Sequence, residues 1–343
     1  MKLSVCIPTY NRAEFIGQTL DSILSQINDD VEVVVSDNCS NDNTSGIVKK
    51  YININQNIKY CRNDTNLGAD RNYLKAVEIA SGDYCWLFGS DDIMKKDAIS
   101  KLLVELASGY DLFLCGFTLC DRIMHPIADH HISKIKSSVV LNLSDTLQRK
   151  YYFQNALTTT AFFSFIGSII VKKSKWDSIK IEDEFVGSLW VHTAKCFALI
   201  ERGLTLKYLP EALLYKRGDN DSFTEKGVVH RYKIAIEGYS KIADTFFGHK
   251  SGEAIQIRRV IRNEYGLTEF LSAKILCKKN PLIENENLLD NLASKTFEDK
   301  YFTNFIRLFI YKVLPLKIYI FARHLYRNIM LLRNNYPLRQ III

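Results

Sequence analysis

Apolar residues follow two rhythms over the first 117 residues, and the two alternate. Residues 3–7, 31–35, 58–61, 84–88 and 112–117 are short runs rich in β-branched and aromatic residues, as in strands buried on both faces. Between the runs, Ile16, Leu20, Ile23, Leu24 and Ile27 recur at helical spacing. Tyr73, Leu74, Val77 and Ile79 do the same, as do Ile99, Leu102, Leu103 and Leu106. A polar turn at 37–42 leads into a further helix. Such regular alternation predicts parallel strands with right-handed crossovers, an α/β fold.

Beyond residue 118 the rhythm weakens. Residues 121–138 hold His125, His130 and His131 without a clear period and read as a long surface loop, with metal ligation by the histidine pair the alternative. Residues 163–171 read as a strand, 189–199 as a helix, and 204–209 and 212–215 as two short strands. Residues 229–276 are helical in pattern, Asn280-Pro281 breaks the pattern, and 282–300 read as a linker or short helix. Pro315 divides the remainder into two helical pieces. Domain boundaries are therefore expected near residues 225 and 300.

At 343 residues, 47% hydrophobic and 24% charged, the chain has globular composition. Residues 3–7 are too short for the apolar core of a secretion signal. Eight cysteines without a C-x-x-C pair point to a reduced, cytoplasmic setting and no structural zinc. The net charge of +7 lies wholly in residues 301–343, which hold seven Lys and Arg and no acid. There the basic residues interleave with Phe302, Phe305, Phe309, Tyr311, Tyr319 and Phe321, and no run of about 18 apolar residues forms. Basic and aromatic together predict a peripheral, interfacial helix on anionic lipid. Packing on the rest of the chain or on a second copy is the alternative. No nucleic-acid partner is expected.

The run at 84–88 ends in Ser90-Asp91-Asp92. Ligands of open α/β sheets sit beyond the strands' carboxyl ends, so Asp91 and Asp92 fall at the ligand edge, ahead of a helix expected from about Lys95. Adjacent carboxylates there suit a hard divalent cation, Mn²⁺ or Mg²⁺, that bridges to phosphate oxygens. Capping of the next helix is the alternative. No G-x-G and no G-x-x-x-x-G-K-[ST] occurs, so dinucleotide and P-loop plans are excluded. Sugar-1-phosphate nucleotidyltransfer needs a Gly-rich first loop, and here that loop is Pro8-Thr9-Tyr10-Asn11-Arg12.

Pro8-Thr9-Tyr10-Asn11, Asp37-Asn38-Cys39-Ser40, Asn66-x-Gly68 and Ser90-Asp91-Asp92, each after a strand and in this order, resemble family 2 glycosyltransferases of the GT-A fold. Gly89 ahead of Ser90-Asp91-Asp92 is similar to the subset that contains abequosyltransferases of O-antigen synthesis. The resemblance covers residues 1–120 well and 160–225 loosely. It implies a nucleotide-binding half at 1–120 and an acceptor half at 121–225, followed by a helical region at 226–300 and the basic tail.

The resemblance also implies roles. Pro8, Thr9, Tyr10 and Arg12 would line the nucleotide-sugar pocket. Asp37 would accept from base or ribose, an Asx-turn being the alternative. Asn66, Gly68 and Arg71 would frame the nucleotide, Arg71 being otherwise a solvated helix residue. Ser90 and Asp91 would face the donor, Asp91 would hold the metal and Asp92 would support it. Arg217, in a turn over 216–222, would stabilise the departing diphosphate and Asn220 would contact the nucleotide-sugar, an exposed turn being the alternative.

Relatives carry an acid pair before a Leu-Trp, whereas Phe185 and Val186 stand in those positions here. Asp183, Glu184 and His192 are the nearest candidates for the base, with Glu184 preferred. The implied activity is inverting, metal-assisted sugar transfer to a lipid-linked glycan in surface-polysaccharide synthesis. A non-catalytic member of an assembly complex is the other reading.

Overall fold

Strands β1 (Leu3–Thr9), β2 (Val31–Asp37), β3 (Ile58–Arg62) and β4 (Tyr84–Leu87) lie parallel in the order β3-β2-β1-β4. A computed structural model describes residues 2–220, 226–298 and 301–332. Helices α1 (Ile16–Leu24), α2 (Thr44–Ile52) and α3 (Ala69–Glu78) are the crossovers between these strands. All of β1 and β2 is buried, which is why their sequences run apolar rather than alternating.

Beyond β4 the sheet becomes mixed. The chain forms β5 (Ile93–Met94) before α4 (Ala98–Leu106), so a two-residue strand occupies the place where the helix was expected to begin. Then come β6 (Leu112–Cys120), β7 (Pro126–His130) and β8 (Val139–Asn142), α5 (Thr146–Asn155), β9 (Ile169–Lys172), α6 (Lys173–Asp177), α7 (Glu182–Phe185), α8 (Val191–Glu201) and β10 (Thr205–Lys216). The order continues β4-β9-β6-β10-β5. β9 is antiparallel to both its neighbours, and β10 is parallel to β6.

Three expectations need correction. Residues 121–138 are not one loop, because β7 pairs with β6 there; His130 stacks on Phe117 at 4.6 Å, and His125 bonds to Asp121 instead of to its neighbours. The strand expected over 163–171 is confined to β9, because 3₁₀ turns at Thr159–Phe162 and Ile166–Ser168 precede it and Phe163 has φ of 64°. The two strands expected near 204–215 are one, β10, whose register shifts around Pro210. Gly116 opposite permits this, since a Cβ on it would lie 2.6 Å from the Pro210 carbonyl.

At the amino ends of β1 and β2, buried Glu32 accepts from Ser4 Oγ (2.6 Å), Ser81 N (2.6 Å) and Lys59 Nζ (2.9 Å). Burial raises its pKa, but these partners outweigh burial and bring it down to about 2.

The chain divides into two compact units, Met1–Asp219 with Thr245–Gln256, and Asn220–Asp244 with the chain from Ile257 onward. The sheet belongs to the first. The second is helical, drawn from α9 (Val228–Phe247), α10 (Gly252–Glu264), α11 (Leu267–Lys279), α12 (Glu286–Thr296), α13 (Phe302–Val313) and α14 (Leu316–Leu332). α12 is the short helix expected in 282–300, and Pro315 separates α13 from α14 as its missing N–H predicts. Tyr232, Phe270, Phe297 and Tyr311 pack edge to face. Glu284 accepts from Val228 N and Val229 N and so caps α9.

Candidate active site

The carboxyl ends of β1, β2, β3, β4 and β6 share one edge, so the loops singled out in the sequence meet there. Side chains knit the first two loops. Asn11 N donates to Ser40 Oγ (2.9 Å), Asn41 N to Asn11 Oδ1 (2.8 Å) and Arg12 N to Thr44 Oγ1 (2.9 Å). Pro8 is buried on β1 beside Ser36, and Tyr10 is exposed. Thr9 is buried and its Oγ1 has no hydrogen-bond partner, a state that costs stability unless a ligand or water completes it.

Asp37 is fully buried. Its Oδ1 accepts from Ser40 N (2.9 Å) and Ser40 Oγ (2.6 Å), and its Oδ2 from Tyr60 (2.7 Å). The Ser40 N–H lies three residues on, so this is not the two-residue Asx-turn, although the carboxylate is held within its own loop. Asn38 and Asn66 are joined by a bond of 2.8 Å, and Asn66 Oδ1 also accepts from Gly68 N, where φ of 82° requires glycine. Arg71 is exposed on α3. Buried Asn72 bonds the Ser36 and Thr9 carbonyls and locks α3 to β1 and β2.

After β4 the chain turns through Gly89, Ser90, Asp91 and Asp92. Ser90 and Asp92 are buried, whereas the Asp91 side chain is 22% exposed and lies 3.8 Å from Arg12 Nε. Burial and the Asp91 charge push the Asp92 carboxyl well above the usual range, against the Arg217 N–H that it accepts at 3.0 Å. The two acids therefore differ: Asp91 faces outward, and Asp92 is packed beneath it.

Arg217 is buried, against the exposed-turn alternative. Its Nε donates to the Asp91 carbonyl (2.8 Å), Nη1 to the Arg122 carbonyl (2.5 Å) and Nη2 to Gln18 Oε1 (2.8 Å), while the guanidinium lies 4.7 Å from the Phe15 ring. All three nitrogens hold protein groups, so Arg217 fastens the turn from behind and is not an exposed loop residue. Asn220 is half-buried; Asp221 and Ser222 lie outside the described residues.

Farther along the chain, α8 starts at Val191. Asp70 of α3, which sequence reasoning passed over, is 2% exposed and accepts from Gly187 N (2.8 Å), Leu189 N (2.8 Å) and Val191 N (3.3 Å). It stands three, four and seven residues before Tyr73, Leu74 and Val77, so it extends the apolar stripe of α3, a signal the sequence does contain.

His192 is 3% exposed, edge-on to Tyr73 (5.5 Å) and tilted against Trp190 (6.1 Å), and neither ring nitrogen has a hydrogen-bond partner. Burial lowers its pKa to about 4. Asp183 and Glu184 are exposed on α7, with Thr245 Oγ1 3.4 Å from Glu184 and Phe185 buried against Phe246.

Among the described residues no three His, Cys, Asp or Glu side chains converge as a metal cage. The donor set still fits a small hard cation. Mg²⁺-type sites take one or two carboxylates and complete their shell with water and substrate phosphates. Asp91 supplies the outward carboxylate, with the buried carboxyl group of Asp92 packed beneath it.

A mixed α/β sheet with paired carboxylates beyond β4 has the plan of a GT-A glycosyltransferase. Staphylococcus aureus TarS 1–349, solved in complex with UDP-GlcNAc, shares the fold with a TM-score of 0.58 at 20% identity, over 86% of this chain and 82% of that one. The glycosyl transferase family 2 profile matches residues 4–173. Abequosyltransferase RfbV of Salmonella typhimurium is 37% identical over 270 residues, 77% of this chain and 79% of its own. The GalNAc(5)-diNAcBac-PP-undecaprenol beta-1,3-glucosyltransferase of Campylobacter jejuni is 28% identical over 71% of this chain and 73% of its own. The chain belongs to glycosyl transferase family 2.

Proposed function

We propose that this glycosyltransferase moves a hexosyl or deoxyhexosyl group from a nucleotide-sugar to a hydroxyl of a lipid-linked glycan in surface-polysaccharide synthesis, with inversion. The names of the Salmonella and Campylobacter relatives support this substrate class. The observation that carries the reading is the Arg12–Asp91 pair at the carboxyl edge of the sheet. It sets a guanidinium for phosphate oxygens beside a partly exposed carboxylate for a cation.

In the reaction the acceptor oxygen bonds to the anomeric carbon, and the bond from that carbon to the phosphate oxygen breaks. The electron pair of that bond stays with the diphosphate. Thr9 Oγ1 gains a partner from the donor, and Arg12 takes the diphosphate. Arg217 holds the turn that presents Asp91. A divalent cation held at Asp91, with Asp92 behind it, supplies charge neutralisation to the leaving group when bound.

The acceptor proton passes to His192. Burial keeps that ring neutral with a lone pair available, but both its nitrogens are buried, so the transfer requires the acceptor hydroxyl to enter the pocket beside Tyr73 and Trp190. An acceptor oxygen already bonding to carbon is acidic enough for a weak base. Glu184, the sequence-based preference, is turned toward Thr245.

The lipid-linked acceptor calls for a membrane surface. No helix among the described residues is long and apolar enough to cross one. On α13, Tyr311 and Asn304 are buried on one side, with Tyr311 bonded to Asp290. The opposite stripe of Phe302, Phe305, Ile306, Phe309 and Val313 is exposed among basic residues, which supports peripheral binding to anionic lipid. Arg333 and Arg339 of the same basic tail lie outside the described residues.

Calorimetry with UDP, GDP, CDP and dTDP in the presence of Mn²⁺ tests the donor site. One of them should bind the native protein in a metal-dependent way and Asp91→Ala should lose that dependence with its melting unchanged. Equal metal-dependent affinity in Asp91→Ala would overturn the assignment.

A further inference from the structure

We infer that Asp70 is a positioning residue of the transfer reaction, which builds the acceptor wall by holding the 187–191 turn from helix α3. It rests on the reading above in one respect only, that His192 faces the acceptor. The turn needs an external fastener. Gly187 has φ of 90° and Leu189 φ of 70°, the latter unfavourable for a branched side chain. A backbone so disposed aims alternate N–H groups, those of 187, 189 and 191, inward, and they converge on one carboxylate, which no group on the turn itself supplies.

The sequence of the turn agrees. Phe185 and Val186 bring no acid, and Phe185 is spent in the core against Phe246. The carboxylate arrives instead from 117 to 121 residues earlier in the chain. Its helix opens at Gly68, directly after the Asn38–Asn66 link of the donor side. Tyr73, one turn further along α3, meets His192 edge-on. One helix therefore carries a donor loop at its start, the fastener of the acceptor turn in its first turn and the ring that packs His192 in its second.

The groups facing the imidazole are Tyr73 from α3, Trp190 from the turn and the Ser164 backbone from the loop before β9. None is an acid, so the ring is kept neutral by exclusion of water. That exclusion depends on the turn staying closed, and hence on Asp70.

The test is NMR of the full chain with labelled histidine. In native protein His192 should titrate far below the ordinary value near ~6.5. In Asp70→Asn, whose amide cannot accept from all three N–H groups, the turn loosens and water reaches the ring. The His192 midpoint should then rise by about one unit or more, while Mn²⁺-dependent binding of the nucleoside diphosphate stays unchanged. Asp70→Glu, with the charge kept but displaced, should fall between the two. A folded Asp70→Asn protein whose His192 midpoint equals the native one would overturn the inference.

If Asp70→Asn does not fold, hydrogen exchange in native protein decides. The amides of Gly187, Leu189 and Val191 should exchange slowly and at one common rate. Three separate, fast rates would overturn the proposal. These readouts follow the Asp70 link whether or not His192 takes the proton; kinetics of His192→Ala test that role separately.

Discussion

Gly89 and Asp92 share one space: a Cβ placed on Gly89 would lie 2.3 Å from Asp92 Oδ2 and 3.2 Å from Asp91 Oδ1. Where many relatives are implied to carry an acid, this chain has a carboxylate from three residues later folded into the gap. Gly89→Ala should displace Asp92 and lower metal-dependent nucleotide affinity at least about tenfold, roughly 1.4 kcal/mol. Gly89→Asp should do no better, since its first side-chain atom meets the same oxygen. Calorimetry with and without Mn²⁺ reads both, and native-like affinity in Gly89→Asp would refute the packing argument.

Arg217→Lys should be severe. Lysine cannot serve the Asp91 carbonyl, the Arg122 carbonyl and Gln18 together, and each acceptor left buried and unpaired costs about 1–3 kcal/mol. A loss of about 3–5 kcal/mol is expected in urea unfolding, the range for a broken buried charged network. A loss below about 1 kcal/mol would mean that the guanidinium is not the fastener described.

Stability should fall with acid in two steps. His192 has a folded midpoint near 4, below its unfolded value of ~6.5. The unfolded chain therefore takes the proton first, and stability is lost as pH drops from about 6.5 to about 4. Glu32 has a folded midpoint near 2 against an ordinary 4.5, so its contribution is present above about 4.5 and is lost toward pH 2. Each shift corresponds to about 3 kcal/mol. His192→Gln should flatten the upper step and Glu32→Gln the lower one in pH-dependent urea melts.

The outer stripe of α13 can be tested without cutting the chain. Removing everything after residue 300 would also remove Tyr311 from Phe270 and Asp290, so unfolding and membrane release would be confounded. Phe302→Ser with Phe305→Ser and Phe309→Ser changes exposed residues only. Cosedimentation with phosphatidylserine vesicles should drop while thermal stability holds. Native binding should weaken as salt rises. Unchanged vesicle binding in the triple variant would dismiss the lipid face.

The first 117 residues were legible because their physics is local. Apolar runs set β1 to β4 and polar loops followed each of them, so the loops that carry Arg12 and Asp91 could be placed at one edge of the sheet from the chain alone. The rest was decided by partners distant in sequence. Nothing local marks Arg217 as buried, because Gln18, Asp91 and Arg122 bury it. The β7 pairing hides in a histidine-rich stretch whose period only β6 reveals. Pro210 reads as a strand break, yet a glycine on the neighbouring strand makes room for the bulge.

The position of β9 bears on how the protein is made. It lies between β4 and β6 but is synthesised after both. As the chain emerges from the ribosome, amino end first, Tyr84–Leu87 and the facing side of β6 stay unzipped until residue 172 is available. A nascent or truncated chain ending near residue 160 would present three apolar, unpaired edges, those of β4 and β6 that face β9 and the side of β6 that β10 later covers, the template on which strands of neighbouring chains add. The chain up to residue 160 thus carries the loops that follow β1 to β4 without the strand that closes the sheet between β4 and β6.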